Sequence, residues 1–201
     1  YGAFFKGGVT APVFERNLVI CARHDQIGGA RVGLSFGGGG MVPQWCAPHF
    51  DAAIPCPSQV IGGVMRNNII ANCSDAGIYL NDATHAQILF NTLLRTGGID
   101  VRFAGSDAEL HGNLLAGRIN ARDGGSFADQ GNLIRQLSGT LEAWYRDPDA
   151  GDLRLKGDVS ALFGQAGADP RVTDDFCGRK RIGPADMGAL QSSLGDCPTL
   201  R

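Results

Sequence analysis

The 201-residue chain has no stretch of eighteen consecutive apolar residues, which excludes a membrane-spanning helix. It has no basic excess: 18 Lys and Arg stand against 20 Asp and Glu, for a net charge of −2. A nucleic-acid partner would call for clustered positive charge, so none is expected. None of the six cysteines sits in a CxxC pair, and His24, His49, His85 and His111 share no metal-ligand spacing. A zinc site is therefore not expected. The glycine run 37–40 lacks the Lys-Ser/Thr ending and the helix that a phosphate loop needs, and more simply eases a sharp loop exit. No window reads as an amphipathic helix, because apolar residues alternate or cluster in short runs between the 30 glycines. The chain shows no signal peptide and opens on Tyr1 rather than Met, so an upstream segment is expected.

What is present is a repeat. Five triplets align: Asn17-Leu18-Val19, Asn68-Ile69-Ile70, Asn91-Thr92-Leu93, Asn113-Leu114-Leu115 and Asn132-Leu133-Ile134. The last four are 23, 22 and 19 residues apart, and the first gap of 51 must hold an insertion. Each unit carries a second short strand: "GAFFK" 2–6, "VGLSF" 32–36, "GIYL" 77–80, "GIDVRF" 98–103 and "GRINAR" 117–122. Units this short cannot bury an apolar face alone; stacked as coils, they share one core. The expected fold is all-β, a parallel solenoid with a period near 22. The repeated Asn is expected to form an internal ladder, its amide bonded to the next Asn and to turn backbone.

Strand alternation assigns faces. Ala3, Phe5, Leu34, Phe36, Ile78, Leu80, Ile99, Val101, Phe103, Ile119 and Ala121 point inward. Two outward columns remain, one of Phe4, Ser35, Tyr79, Asp100 and Asn120, the other of Lys6, Gly37, Asn81, Arg102 and Arg122. The insertion follows the second column in the second coil and carries Trp45, His49 and Asp51. Long loops on rigid scaffolds commonly carry binding groups. Cys46–Cys56 is expected to staple that loop and Cys177–Cys197 to pin the C-terminal tail. Cys21 and Cys73 remain either buried thiols or a third pair. Disulfides imply an oxidising compartment: secreted, periplasmic or cell surface.

The coils are expected over residues 1–135, and 136–201 reads as a C-terminal cap in which "TLEAWYRDP" 140–148 forms a short helix and "DLRLK" 152–156 a strand. The first coil leaves an open edge near Phe4 and Phe5, which calls for further coils, a capping helix or a partner subunit.

The phrases "FFKGG…FERNLVI", "RNNIIANCSDAGIYLNDA" and "NTLLRTGGIDVRF" resemble right-handed parallel β-helix proteins of the pectate-lyase-like superfamily. "DDFCGRKRIGPADMGAL" 174–190 resembles the C-terminal motif that follows the last coil in many secreted bacterial β-helix proteins. That resemblance implies a right-handed helix and a polysaccharide ligand; this fold hosts lyases, hydrolases, epimerases and adhesins. Along the columns, Tyr79 and Trp45 are candidates to stack on sugars, Asn81, Asp100 and Asn120 to hydrogen-bond hydroxyls, and Arg102 and Arg122 to pair with uronate carboxylates.

A lyase needs a base and a positive charge, often calcium, at the uronate. Lys6 is the base candidate, because "FFKGG" resembles the lysine region of chondroitinase-B-like and alginate-lyase-like enzymes. Those families place an arginine late in the next coil's matching strand; here that stretch is "GLSFGGGG", and Arg31 begins the strand instead. Hydrolases of this fold use paired aspartates on adjacent coils, whereas Asp100 stands alone among outward positions. Asp82, Asp123 and Asp174–Asp175 read as turn residues. The leading expectation is binding of an acidic or hydroxyl-rich polysaccharide along these columns, with lyase chemistry open. The rival is a non-catalytic structural or adhesive module, or a subunit of a larger surface assembly.

Overall fold

A computed structural model describes residues 1–21, 28–39, 58–135, 139, 141–148 and 150–197. The first coil holds strands β1 (Ala3–Phe5), β2 (Val9–Thr10), β3 (Val13–Glu15) and β4 (Leu18–Ile20). The second holds β5 (Leu34–Phe36), β6 (Val60–Ile61), β7 (Val64–Arg66) and β8 (Ile69–Ala71). The third holds β9 (Ile78–Asn81), β10 (Ala83–Thr84), β11 (Ala86–Leu89) and β12 (Thr92–Leu94). Then come β13 (Gly98–Arg102), β14 (Asp107–His111) and β15 (Leu114–Ala116), followed by β16 (Arg118–Arg122), β17 (Ser126–Asp129) and β18 (Leu133–Arg135).

Like strands of successive coils pair in parallel. Three five-stranded sheets result: β1-β5-β9-β13-β16, β3-β7-β11-β14-β17 and β4-β8-β12-β15-β18, with a short sheet β2-β6-β10 between the first two. The chain is thus an all-β stack of coils, a parallel β-solenoid. The second sheet is the one that sequence pattern does not single out. Its strands run straight into the Asn triplets and mix charged residues with apolar ones, as in "VFERNLVI".

The bends recur at matching places. Asp82, Phe103 and Asp123 leave the first sheet at φ values of 54°, 72° and 52°, and Arg16, Asn67 and Phe90 turn from the second sheet into the third at 53°, 54° and 52°. Gly37 occupies the first of these bends in the second coil at φ 77°, where a Cβ would lie 1.8 Å from the Asn81 carbonyl oxygen. Only glycine fits there.

Inside the coils, Leu34, Phe36, Ile78, Leu80, Ile99 and Val101 of the first sheet meet Met65, Ile88 and Leu110 of the second and Ile70, Leu93 and Leu115 of the third. All are buried. Ala121, expected inward, is exposed, because no described coil covers the last one. The Asn ladder runs beside this core. Asn17 Nδ2 donates to Asn68 Oδ1 at 2.9 Å, Asn68 Nδ2 to Asn91 Oδ1 at 2.8 Å, Asn91 Nδ2 to Asn113 Oδ1 at 3.0 Å and Asn113 Nδ2 to Asn132 Oδ1 at 2.8 Å. Asn68, Asn91, Asn113 and Asn132 also donate to backbone of the coil before, as Asn91 does to Met65 O at 2.9 Å, whereas Asn17 donates to Glu15 O of its own coil. Asp129 ends the ladder: its Oδ1 takes the Asn132 Nδ2 proton at 2.7 Å.

Residues 141–197 run along the flank where the second and third sheets meet. Leu141, Tyr145, Leu153, Leu162, Phe176 and Met187 form one apolar cluster with Ile69, Leu89, Phe90, Leu94 and Leu114. The stretch expected as a short helix is one 3₁₀ turn, Glu142–Trp144, running into β19 (Tyr145–Asp147). β19 pairs antiparallel with β20 (Asp152–Leu155), the strand expected at 152–156. Pro148 and Gly151 favour a hairpin over continued helix. Cys177–Cys197 is a disulfide, and Cys21–Cys73 is the third pair, linking the first two coils with a Cα separation of 4.9 Å. Cys46, Cys56, Trp45, His49, Asp51 and His24 lie outside the described residues.

Residues 166–181 tie several coils together. Asp174 pairs with Arg16 at 2.5 Å, Arg66 donates to Arg171 O at 2.6 Å, Arg171 grips Glu109 at 2.6 and 2.7 Å, and His111 meets Asp169 at 2.9 Å. The Arg171 guanidinium, aided by His111, holds the Asp169 carboxyl well below the usual range against the opposing effect of burial, and Arg171 lowers Glu109 as well. Depressed carboxyls stabilise the fold above their ordinary pKa, and that contribution is lost as pH falls through the depressed values. The melting temperature is therefore expected to fall as pH drops below 4.5, the ordinary value for Glu109. Asp169→Asn should melt lower at neutral pH and show a shallower acid slope in calorimetry. An acid slope equal to that of the wild type would remove Asp169 from this role.

Candidate functional site

The first sheet turns one face outward, and its register stacks the predicted columns. Phe4 pairs with Ser35, Ser35 with Tyr79, Tyr79 with Asp100 and Asp100 with Asn120. Asn81 pairs with Arg102, and Arg102 with Arg122. Two pockets open on this face. One, of about 530 Å³, is lined by Tyr1, Gly39, Tyr79, Asn81, Asp82, Arg102 and Phe103. The other, of about 320 Å³, includes Asp75, Asp100, Arg118, Asn120 and Arg122.

A hydrogen-bond chain crosses the first pocket. Gln59 Oε1 accepts from Gly38 N at 3.0 Å, and Gln59 Nε2 donates to Asn81 Oδ1 at 3.1 Å. Asn81 Nδ2 donates to Tyr79 Oη at 2.9 Å, and Arg102 Nη1 reaches the same oxygen at 3.4 Å. Arg102 Nε donates to Asp123 Oδ2 at 2.5 Å. Tyr79 and Asp123 hold the Arg102 guanidinium protonated, raising its pKa. In the second pocket Arg122 grips Asp100 with Nε and Nη2 at 2.9 and 2.7 Å, and Asn120 Nδ2 donates to Asp100 Oδ1 at 3.2 Å. Asp100 raises the Arg122 pKa in turn.

The geometry changes several expected roles. Tyr79 and Asn81 are 7% and 6% exposed: the Tyr79 ring face is covered, and its hydroxyl and both ends of the Asn81 amide are engaged within the protein. Tyr1 and Phe103 are the other aromatics at the pocket. Phe103 does not point inward: β13 ends at Arg102, the φ of 72° swings the ring out, and the Arg102 guanidinium lies 4.4 Å from its centroid. The break is legible afterwards in "FAGSD", where Ala-Gly follows the aromatic. Asp82 and Asp123, read as turn residues, are bend residues that also serve the face. Tyr1 and Asp75 lie outside the alternating strand positions used for the columns, whereas Arg118 is an outward position of that same alternation, two residues before Asn120 and outside both columns.

Lys6 Nζ donates to Gly38 O at 3.3 Å. Its column continues through Gly37 and Asn81, so Arg102 lies three rungs away, about 14 Å at the usual strand spacing. Among the described residues no three His, Cys, Asp or Glu side chains gather as a metal site, and both Asp100 oxygens already accept from Arg122. The described residues of this face do not form a calcium site. No helix of the described residues is long and apolar enough to cross a membrane.

No protein-family model matches the chain, and no curated protein matches it at a significant level.

Proposed function

We propose that this is an extracytoplasmic, right-handed parallel β-helix protein of the pectate-lyase-like kind, whose outward first sheet binds an extended polysaccharide without cleaving it. One observation carries the reading. Two neighbouring pockets on a single rigid sheet present Arg102, Asp100, Asn120 and Arg122 on adjacent rungs. Ladders of planar donors and acceptors suit a chain of hydroxyls, and a rigid sheet fixes them before the ligand arrives. Two disulfides support an oxidising compartment. The lyase alternative asks Lys6 to act beside a neutralising cation, and along its own column the first arginine, Arg102, is three rungs away.

Affinity electrophoresis over a panel of glucans, mannans, xylans, polygalacturonate and alginate tests the proposal. Retardation by at least one polymer is expected, with no unsaturated product absorbance. Asn120→Ala should weaken the retarding interaction roughly fivefold, the loss of about one hydrogen bond. Unretarded migration on the whole panel would end the binding reading.

A second reading, a subunit of a larger assembly, rests on the first coil. There Phe4, Val13 and Leu18 are 52%, 48% and 40% exposed along unpaired strand edges. If that edge docks a partner chain, Val13→Arg with Leu18→Arg should lower the sedimenting mass. An unchanged mass would set this reading aside.

A further inference from the structure

We propose that this face selects an uncharged, hydroxyl-rich polymer over a uronate. The inference rests on the polysaccharide-binding reading and narrows it. The two arginines best placed for sugar carboxylates are already neutralised within the protein: Arg122 is held in a bidentate pair by Asp100, and Arg102 is held by Asp123. Asp123 also lies 3.6 Å from Arg122 Nη1, so the two pairs form one cluster with no net charge.

The described face does not restore a positive field, even with Lys6 of the same column counted. Around that cluster the pockets add one further guanidinium, Arg118, and two carboxylates, Asp75 and Asp82. A uronate entering here meets more carboxylate than guanidinium, and to win an arginine it must displace a preformed pair. A neutral sugar faces no such cost. The outward lone pairs of Asp100, the remaining N–H groups of both guanidinium groups and the Asn120 amide offer acceptors and donors side by side, the pattern that vicinal hydroxyls take. Pairing also locks the arginines in place, so little side-chain entropy is lost on binding.

The test uses the same panel, read for charge preference. Retardation by neutral glucan, mannan or xylan, with little by polygalacturonate or alginate, is the expected result. It should change little between roughly 0.05 and 0.5 M salt, because no net ion pair forms. Asp100→Asn with Asp123→Asn frees both guanidinium groups, and at least a tenfold gain in uronate retardation is expected, abolished by high salt. Uronate retention by wild type that exceeds neutral retention and collapses in salt would overturn the inference while leaving polysaccharide binding intact. A folded double variant with no uronate gain would also overturn it. Retention by no polymer would remove the broader reading and the inference together. Should the double variant fail to fold, the salt series on wild type decides.

Discussion

Arg181→Ala is expected to lower stability by about 3–4 kcal/mol, the largest loss of any single substitution along the C-terminal segment. Arg181 is buried, and its guanidinium lies 4.7 Å from the Phe90 ring centroid. It donates to Asp174 O at 2.9 Å, Gly188 O at 2.9 Å, Gln191 Oε1 at 3.1 Å and Asn67 Oδ1 at 3.1 Å. Two of these groups belong to the tail loop's backbone, one to a tail side chain and one to the second coil. Burial pulls its pKa down to about 10, yet leaves it charged at neutral pH. Truncation would strand several buried acceptors at about 1–3 kcal/mol each, softened by relaxation and water entry. For a chain of this size each kcal/mol moves the melting point by about 2–4 °C, so a drop near 10 °C is expected in calorimetry. Arg181→Lys should recover little, because one ammonium cannot reach acceptors spread around a planar fork. A change below about 1 kcal/mol would show that the segment is held by its apolar cluster alone.

Asn91→Ala should cost a comparable amount, about 3–4 kcal/mol, by a different route. Asn91 is fully buried and sits at the centre of the ladder. Its Oδ1 takes protons from Asn68 N and Asn68 Nδ2, and its Nδ2 serves Met65 O and Asn113 Oδ1. Alanine leaves donors on one side and acceptors on the other without partners. Asn91→Asp tests the direction of the bonds. A carboxylate would keep the acceptor toward Asn68 but set a second oxygen against Met65 O and Asn113 Oδ1, so it should be no milder than alanine. A double-mutant cycle on Asn68 and Asn91 should show coupling above about 0.5 kcal/mol, since the pair shares one chain of bonds. Additive losses would mean that the amides act separately.

The stacking was readable because it repeats. A polar residue returning just before two apolar ones must be buried and satisfied in every coil, and Asn17, Asn68, Asn91, Asn113 and Asn132 mark that place. Strand alternation then put Tyr79, Asp100 and Asn120 in one column and Asn81, Arg102 and Arg122 in another, as the register has them. Exposure was harder to read. An outward side chain is solvent-facing only if nothing crosses it, and Tyr79 is covered while Phe4 is open. Charge balance was harder still. Arg102 and Arg122 read as cations for a ligand, but their carboxylates come from a neighbouring column and a bend, Asp100 and Asp123, twenty-odd residues away. The second sheet repeats only weakly, with Phe14, Met65, Ile88 and Leu110 each three before a ladder Asn among polar neighbours, and the flank packing of residues 141–197 shows no such period, so its partners emerge only in three dimensions.

Vertical neighbourhood is the claim on which both site and stability rest, and cysteine pairing measures it most directly. Val64 and Gln87 are register partners on adjacent rungs of the second sheet. Val64→Cys with Gln87→Cys should oxidise to a bridge, since partners one rung apart, about 4.8 Å, lie within disulfide reach. Val64→Cys with Glu109→Cys, two rungs apart, should stay reduced in peptide mapping. A folded first variant with both thiols free, or a bridge only in the second, would contradict the stack.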